Sequence, residues 1–407
     1  MPIPRTEKGR QTRLRIAHGA ARLFAARGFQ DTDISDICSE AGIATGGYYR
    51  HFSGLEEVLL EIPLILKERL LAAGFGECDG AAPEEKAAAV LERFFAFFRE
   101  NADLFQTLRQ SEFVAAAPAR NFRDTWAKLL AECFFDAPET EEAEIFAQVF
   151  MGVQEFFAVH NIIWEKRGVS PETSAMLGRL CTGGIAGRKI PGFAALAQKA
   201  LARGNVQPKT AQTRDTRGRL LRAAEEVFGK AGFANASVAD ICRRAGVAVG
   251  SFYLHFESKD AAFRELTSML GADLLHRNYE SAAGAAGRTE IELTSFAAFF
   301  GFVREHGTGY RIIREMEFVH PRVARNYYTV LQDEYAKSMR RTAAKGELFT
   351  EDYPALALAL MGAGHMLGMR YVLYGREKMD EKLFGRIVSQ VFFGIPNAVS
   401  KGDKIHA

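Results

Sequence analysis

One segment of the chain is written twice, and this repeat constrains the architecture more than any other feature. Residues 13–52 align without a gap with residues 217–256, an offset of 204, and agree at 16 of 40 positions. Shorter matches continue at offsets of 205 and 210, among them Arg109/Arg314, Glu112/Glu317, Gly152/Gly362 and Gly184/Gly394. So long a period excludes a solenoid, whose repeats span roughly 20–50 residues. We therefore expect two copies of one unit, residues 1–190 and 212–397, joined by a tether.

Composition limits the class of protein. Hydrophobic and charged fractions of 48% and 25% are typical of a soluble globular chain, and no uninterrupted apolar run approaches the roughly 18 residues of a membrane span. The cysteines at 38, 78, 133, 181 and 242 show neither CxxC pairs nor a zinc spacing with histidine. Phosphate-loop and nucleophile motifs are absent from the sequence. We expect a cytoplasmic protein that is not an enzyme, with no cofactor and no metal.

Each copy opens with a basic segment. Residues 1–15 contain five Arg or Lys and one acidic residue, and residues 199–222 contain seven and one. Such segments suit contact with nucleic-acid phosphates. The alternative is that they are solvated tails, but their position directly before the motif described next favours the phosphate contact.

Glycines and capping residues divide the start of each copy into three helices. Gly28 and its equivalent in the second copy follow an amphipathic helix, which glycine is suited to end. Asp33 and Ser237 stand at the expected N-cap of a second helix, each with an Asp three residues later. A third short helix is predicted over 45–51 and 249–255. Two short helices joined by a tight glycine turn form a helix-turn-helix, whose second helix enters the major groove of DNA.

The most specific motif is AGIATGGYYRHF at 41–52, which returns as AGVAVGSFYLHF at 245–256. These segments resemble the DNA-binding signature of the TetR (tetracycline repressor) family of bacterial regulators. The resemblance implies an all-α fold in which a three-helix helix-turn-helix domain precedes a helical ligand-binding and dimerisation domain. It predicts DNA-binding domains at 1–53 and 212–257, ligand-binding domains at 54–190 and 258–397, a linker at 191–211 and a tail at 398–407.

Candidate DNA contacts lie on and beside the third helix of each copy. The outward positions predicted to meet base edges are Thr45, Gly47, Tyr48 and Arg50, and then Val249, Ser251, Phe252 and Leu254. The resemblance assigns phosphate contacts to Tyr49, His51, Tyr253, His255 and Lys259, where the first copy has Leu55 instead. Arg50 can bind guanine with two hydrogen bonds. The second copy has Arg243 and Arg244, which favour backbone contact, and the alternative is that one copy no longer binds DNA.

The remaining helices are predicted from their periodicity at 56–73, 83–101, 120–135, 141–167 and 171–181, and at 260–283, 288–305, 322–345, 355–375 and 381–393. The tether contains a further helical stretch at 193–203. The resemblance implies a cavity among these helices in each copy. Candidate lining residues are Phe98, Arg109, Phe113, Trp126, Phe156 and His160, with Phe299, Arg314, Phe318, Tyr335 and His365.

Two other interpretations of these candidates stay open. Aromatic residues at helical spacing are more often core, and an Arg–Glu pair three residues apart can lie on a helix surface. The composition favours a large apolar or aromatic effector, such as an acyl or aromatic acid.

The repeat predicts a pseudo-dimer within one chain. Members of the family ordinarily pair two chains, and recognition helices then lie about 34–36 Å apart. Here the helices at 141–181 and 355–393 are expected to form a four-helix interface inside the chain. Because the two DNA-binding units differ, we expect an asymmetric operator and a repressor released by its effector. The alternatives are two chains presenting four DNA-binding units, and a helical small-molecule-binding protein without an operator.

Overall fold

The computed structural model describes residues 6–75, 82–204, 206, 215–375 and 379–395. The predicted tail at 398–407, Cys78 and the linker residues 205 and 207–211 lie outside these ranges. Within them the chain is helical, and its β-structure consists of one isolated bridge between Ala186 and Leu348. The all-α class predicted from the sequence is confirmed.

The first half contains nine helices within the described ranges. They are α1 Glu7–Arg27, α2 Ile34–Ala41, α3 Thr45–Tyr48, α4 Leu55–Ala72, α5 Pro83–Glu100, α6 Ala102–Ser111, α7 Ala116–Phe134, α8 Glu141–Phe157 and α9 Pro171–Gly183. A π-helical turn over Ala158–Trp164 extends α8. The helix predicted inside the tether follows as α10, Phe193–Arg203.

The second half repeats this order. Its helices are α11 Thr216–Asn235, α12 Val238–Ala245, α13 Val249–Tyr253, α14 Lys259–Ala282, α15 Arg288–Glu305, α16 Gly307–Val319, α17 Pro321–Thr342, α18 Tyr353–Leu367 and α19 Glu381–Phe393. A π-helical turn over Gly368–Leu373 extends α18 at the position equivalent to the turn after α8. In α11 the backbone breaks at Gly232, where φ is +76°, just as Gly28 ends α1.

Two helices were missed by the sequence analysis. Helix α6 begins two residues after α5 ends, and α16 begins two residues after α15 ends. Only Asn101 separates α6 from α5 and only His306 separates α16 from α15, and neither is the glycine or proline that marks other boundaries, although α16 itself begins at Gly307. These two helices carry the repeated Arg109/Glu112 and Arg314/Glu317 pairs.

The two halves pack by contacts between repeat-equivalent residues. Helices α8 and α18 cross where Gly152 meets Gly362, so closely that a Cβ on Gly152 would lie 2.1 Å from the Gly362 oxygen. A Cβ on Gly362 would lie 2.2 Å from the Gly152 oxygen. Gly184 and Gly394 approach the opposite half in the same reciprocal way, and Ile395 N donates to Thr182 O at 2.8 Å.

A hydrophobic core runs across the contact between the halves. One buried cluster begins at Ile16 and Phe24 of α1, includes Phe146 and Phe150 of α8, and continues into α15, α18 and α19 of the second half. Separating the halves would expose a large part of this core to water. Since burial of apolar surface contributes roughly 25 cal/mol per Å², such exposure would be unfavourable and holds the halves together.

Helix α10 is packed onto the second half. Ala197 and Ala200 are buried, and the ring of Phe193 lies 5.0 Å from that of Phe392 in α19. Gly204 lies so close to α15 that a Cβ would be 2.4 Å from the Cβ of Ala297. The tether is thus partly a structural element of the second half.

One helical stretch resembles a membrane span in length and composition, which the sequence analysis did not predict. Tyr353–Leu373 is long and apolar enough to cross a membrane, but 72% of its apolar window is buried inside the protein. It comprises α18 and its π-helical turn, which pack on α8 at the centre of the fold. Its apolar character is explained by burial on all sides.

We predict that Gly152→Ala destabilises the protein although alanine favours helix formation. The new methyl group would overlap the Gly362 carbonyl, and overpacking of this kind costs about 1–3 kcal/mol or more. The free energy of unfolding, measured by urea denaturation, should fall accordingly. Gly385→Ala on α19 is the control, because nothing lies within 4 Å of its added Cβ. An unchanged unfolding free energy for Gly152→Ala would contradict the close helix crossing.

Candidate nucleic-acid interface and effector site

The helix-turn-helix of the first half is held by caps, a turn and an aromatic core. Asp33 and Asp36 form a capping box at the start of α2, and Gly42 ends α2 with φ of +63°. The Tyr48 hydroxyl donates to the Gly54 carbonyl at 3.0 Å, which fixes the end of α3. Arg13 of α1 lies 4.1 Å from the centre of the Phe52 ring. These contacts present α3 rigidly on the surface.

The second unit uses equivalent contacts. Ser237 accepts from Asp240 N at 3.0 Å at the start of α12, and Gly246 ends α12 with φ of +67°. Arg217 lies 4.9 Å from the centre of the Phe256 ring and pairs with Glu265 at 2.5 Å. The two surfaces are therefore built alike although their outward side chains differ.

The structure corrects the predicted orientation of two residues. Tyr48 and Phe252 were expected to face DNA, but both are fully buried. Their rings pack on Phe52 and Phe256, at 5.8 and 5.3 Å between centroids. The neighbouring Tyr49 is exposed instead, because successive side chains on a helix point in directions about 100° apart.

The outward side chains of the two units differ in polarity. Thr45, Tyr49 and Arg50 are exposed on α3 or directly after it, with Gly47 partly exposed between them. In the second unit Val249, Tyr253, Leu254 and His255 are exposed and Ser251 is partly exposed. Leu254, at the position equivalent to Arg50, is 83% exposed. A leucine this accessible has no role in the core.

The predicted phosphate contacts of the second unit also need correction. The ammonium group of Lys259 donates to the carbonyls of Phe233 and Ala236 at 2.7 and 2.9 Å. It therefore caps the end of α11, and its donors are occupied. Arg243 and Arg244 are exposed, and they pair with Asp240 and Glu226 on the same unit.

His51 is partly buried in the first unit. Its backbone carbonyl accepts from Arg13, and its Nδ1 atom has no hydrogen-bond partner among the described residues. Burial lowers the pKa of His51, and Arg13 and Arg50 lower it further. The imidazole is thus neutral at neutral pH.

Helices α6 and α16 fasten the two helix-turn-helix units to the body. Gln110 of α6 accepts from Phe29 N at 3.1 Å and donates to Phe24 O at 2.9 Å, at the end of α1. Glu315 of α16, at the equivalent position, accepts from Phe233 N at 2.9 Å. Each unit is therefore held at the end of its first helix by the helix that sequence analysis missed.

The same two helices form a reciprocal pair of ion pairs between the halves, which we name the clasp: Arg109 with Glu317, and Arg314 with Glu112. Arg314 binds Glu112 through two hydrogen bonds of 3.0 and 2.6 Å. Arg109 lies 2.5 Å from Glu317. Because Arg109 is the repeat equivalent of Arg314 and Glu112 that of Glu317, each pair is the counterpart of the other. They are cross-half contacts, neither surface pairs nor free effector ligands.

Further donors complete the clasp. Arg123 and Tyr374 donate to Glu112 at 2.5 and 2.7 Å. Burial alone would raise the pKa of Glu112, but Arg123 and Arg314 hold it well below its usual range. Burial lowers the pKa of Arg314, but Glu112 more than offsets this and raises the pKa well above its usual value. The clasp is charged at neutral pH.

Several predicted effector residues lie in or beside this contact. Phe113 and Phe318 form an edge-to-face pair across the halves, 5.8 Å apart, each under an Arg of the clasp. Phe156 packs on Tyr328 and His365 of the second half. His365 binds the Tyr310 hydroxyl, and burial together with nearby arginines holds the pKa of His365 well below its usual value.

The other effector candidates are scattered. Phe98, Arg109 and Trp126 line a small cavity of about 20 Å³, whose wall belongs to the first half except for Met366 of α18. His160 lies near Trp164, Phe299 packs on Tyr310, and Tyr335 donates to Glu292. Sequence reasoning missed the remaining cavity wall, which includes Phe94, Phe105, Phe122, Arg123, Met151 and Gln154. The spacing of four residues between Phe94 and Phe98, which places both on one face of α5, was a signal for part of it.

Comparison with known proteins identifies the two DNA-binding units. The sequence model of the family "Bacterial regulatory proteins, tetR family" matches residues 16–62 and 220–266. Each half of the chain thus contains one segment that matches the DNA-binding domain of this family. The matches cover each helix-turn-helix and the start of the following helix.

Named relatives match over part of their length. The chain is 32% identical over 123 residues to the HTH-type transcriptional activator FasR of Mycolicibacterium smegmatis, covering 30% of this chain and 54% of FasR. It is 37% identical over 75 residues to the HTH-type transcriptional regulator TtgR of Pseudomonas putida, covering 18% and 33%. The chain thus spans about half the length of FasR, and less of TtgR.

The solved structures that match part of this chain are more distant in sequence. The fatty acid degradation regulator FadR of Bacillus halodurans is 16% identical with a TM-score of 0.38, covering 44% of this chain and 97% of that one. FadR of Bacillus subtilis, solved with stearoyl-CoA, is 17% identical with a TM-score of 0.37, covering 41% and 96%.

We predict that Glu112→Gln strongly destabilises the contact between the halves. The substitution leaves Arg123 and Arg314 buried without their shared carboxylate, and breaking a buried ion pair costs about 3–5 kcal/mol. Urea denaturation followed by circular dichroism measures the loss. The control is Glu132→Gln, which removes an exposed pair with Lys128 and should change the unfolding free energy by less than about 1 kcal/mol. Equal effects of the two substitutions would refute the assigned role of the clasp.

Proposed function

We propose that the chain is a cytoplasmic, effector-released transcriptional repressor whose two halves form an intramolecular pseudo-dimer on an asymmetric operator. The observation that carries this proposal is the reciprocal clasp between repeat-equivalent residues. In a two-fold symmetric dimer, residue i of one subunit contacts residue j of the other and the converse contact also forms. The pairs Arg109–Glu317 and Arg314–Glu112 follow this rule within one chain.

The helix packing supports the same assembly. The crossing at Gly152 and Gly362 obeys the same reciprocal rule, as do the approaches of Gly184 to Phe392 and of Gly394 to Thr182. These contacts engage α8, α9, α18 and α19, the helices with which family members are expected to pair. Because they are already engaged inside the chain, the packing favours the single-chain pseudo-dimer over the assembly with four DNA-binding units.

A physical route from effector to DNA is available through α6 and α16. Gln110 holds the first DNA-binding unit, and its neighbour Arg109 belongs to the clasp and lines the cavity. In the second half, Glu315 holds the second unit and its neighbour Arg314 belongs to the clasp. An effector that displaces Arg109 would therefore act on the helix that fixes one unit. Such coupling between two sites typically amounts to about 1–3 kcal/mol.

The two outward surfaces support an asymmetric operator. Arg50 can donate two hydrogen bonds to guanine, and the exposed Leu254 at the equivalent position can only contact an apolar group such as a thymine methyl. Both units have basic residues near their first helix, which favours DNA binding over the alternative of a helical small-molecule-binding protein without an operator.

The solution mass of the chain with DNA tests the assembly. Duplexes selected from a random pool on the immobilised protein supply the DNA, and light scattering on a sizing column gives the mass. We expect a particle of 45.0 kDa that binds one duplex as a single chain. A particle of twice that mass would favour four DNA-binding units. Failure to select any sequence, with no salt-dependent retention on DNA, would favour the small-molecule-binding alternative.

Substitution at the two equivalent outward positions tests the asymmetry. Arg50→Ala should relax the base preference in one half of the selected site and cost about 1–3 kcal/mol there. Leu254→Ala, the matched variant, should affect only the other half and leave the preference assigned to Arg50 unchanged. Repeated selection with each variant measures both. Identical changes in the two half-sites would rule out a fixed orientation on an asymmetric operator.

A further inference from the structure

Three buried polar groups around the cavity of the first half lack hydrogen-bond partners within the described part of the chain. They are Nη1 of Arg123, Nε1 of Trp126 and Oε1 of Gln154. Trp126 and Gln154 are each only 2% exposed. An unpaired buried donor or acceptor costs about 1–3 kcal/mol. Two donors and one acceptor on one cavity wall therefore form a set that a bound molecule would complete.

The rest of the cavity wall consists of four phenylalanines, of the apolar Leu108, Met151 and Met366, and of Arg109 with its ion-pair partner Glu155. Phe94 stacks on Trp126 with ring centroids 5.6 Å apart, and Phe98 stacks on Phe105 at 4.3 Å. A guanidinium and an indole N–H are both donors, and together they suit a carboxylate. The amide oxygen of Gln154 requires a donor such as a hydroxyl group. The chemistry of the wall thus fits a flat aromatic acid that also carries a hydroxyl.

The equivalent positions of the second half do not offer these groups. Arg123, Trp126 and Gln154 correspond to Tyr328, Leu331 and Gly364. Leucine and glycine have no polar side-chain atoms, and the Tyr328 hydroxyl already donates to Glu317 at 3.0 Å. Two buried hydroxyls without a partner among the described residues do remain on this side, those of Tyr327 and Tyr371. The Tyr327 ring packs on Gly271, where an added Cβ would lie 2.5 Å from the ring.

We propose that the chain binds one effector, in the first half only, and that this effector is a hydroxylated aromatic carboxylate recognised by Arg123, Trp126 and Gln154. This inference rests on the proposed function, and it specifies the effector class and the number of sites. Two fused halves would then respond to one molecule, in contrast to a symmetric pair with two equivalent sites.

The position of Arg123 links this site to the clasp. Arg123 also donates to Glu112, the carboxylate that holds Arg314 of the second half. Arg109 lines the same cavity and binds Glu317. A carboxylate in the cavity competes with Glu112 for Arg123, and with Glu317 for Arg109. The cross-half pair Arg109–Glu317 is therefore weakened directly, and Glu112, which holds Arg314 across the halves, loses its donor Arg123.

The cavity has to expand to accept such a molecule. Its volume of about 20 Å³ has room for one water. The competing explanation is a single buried water that satisfies the three polar groups. An effector instead separates the stacked rings, so the bound and empty states differ in the packing of α5 and α7, which carry Phe94 and Trp126.

The chain offers a direct optical test, because it contains only two tryptophans. The Trp164→Phe variant leaves Trp126 as the single tryptophan, beside the cavity. The probe is 3-hydroxy-2-naphthoate, titrated against this full-length variant, with the uncharged methyl ester for comparison. We expect saturable quenching of Trp126 fluorescence, one bound probe per chain by calorimetry, and at least about tenfold weaker binding of the ester, equivalent to 1.4 kcal/mol.

Matched substitutions on α8 locate the site. Gln154→Leu removes the unpaired acceptor without breaking an ion pair and should weaken binding of the probe about tenfold. Gln148→Leu makes the same change on the same helix at a buried position outside the cavity wall, and should leave the probe affinity unchanged. Arg123→Gln should abolish the preference for the acid over the ester. Because this substitution also disturbs the clasp, the location of the site is tested by Gln154→Leu.

Each contrary result has a distinct meaning. Two probes per chain, or equal effects of Gln154→Leu and Gln148→Leu, would overturn the single site. Absence of binding at about 1 mM probe, with selected DNA still bound, would mean that the cavity holds a buried water only. In that case the proposed function survives. Failure of the unaltered chain to bind any selected DNA would instead reject the proposed function, whatever the probe does.

Discussion

The structure depends on a pair of buried ion pairs that no single half can complete. Glu112 is 5% exposed and lies between Arg123 of its own half and Arg314 of the other. Taking such charges out of water costs several kcal/mol per ion, and only near-complete hydrogen bonding offsets it. Without the second half, Glu112 would lose its bidentate partner, and Arg109 would lose Glu317. The clasp therefore makes the two halves one folding unit, and it explains why the charged residues of α6 and α16 recur in both copies.

Fusion removes the requirement that both sides of such an interface stay alike. In a dimer of identical chains, any substitution occurs twice, so a change suited to one side must suit the other. Here Arg50 and Leu254 occupy equivalent positions, as do Trp126 and Leu331. The clasp and the glycine contacts remain reciprocal because they hold the halves together. The copies differ at the outward surfaces and at cavity-wall positions such as Trp126, which take no part in those contacts.

The sequence predicted the architecture well where glycine, caps and the repeat gave independent signals, and less well elsewhere. Both helix-turn-helix units and the helix at 193–203 lie where they were expected. The outward orientation predicted for Tyr48 and Phe252 was wrong because helices of four and five residues have too little periodicity to define a face. Arg109 and Glu112 were open to interpretation as a surface pair, since the spacing within one helix does not show that each pairs with the other half. Such cross-half partners depend on tertiary packing alone.

Helix α10 is part of the tether between the halves, and its packing makes the two halves structurally different. In the first half α9 packs tightly on α5, with Gly178 so near Ala88 that a Cβ would lie 2.7 Å from its nitrogen. The second half has Val388 and Leu293 at these positions, whose side chains exclude so close an approach. Helix α10 packs on α15 there, and Gly204 lies against Ala297. The tether thus occupies space between α15 and α19 that has no equivalent in the first half. Because α10 is part of the chain itself, the two halves differ in packing even before DNA or an effector is bound.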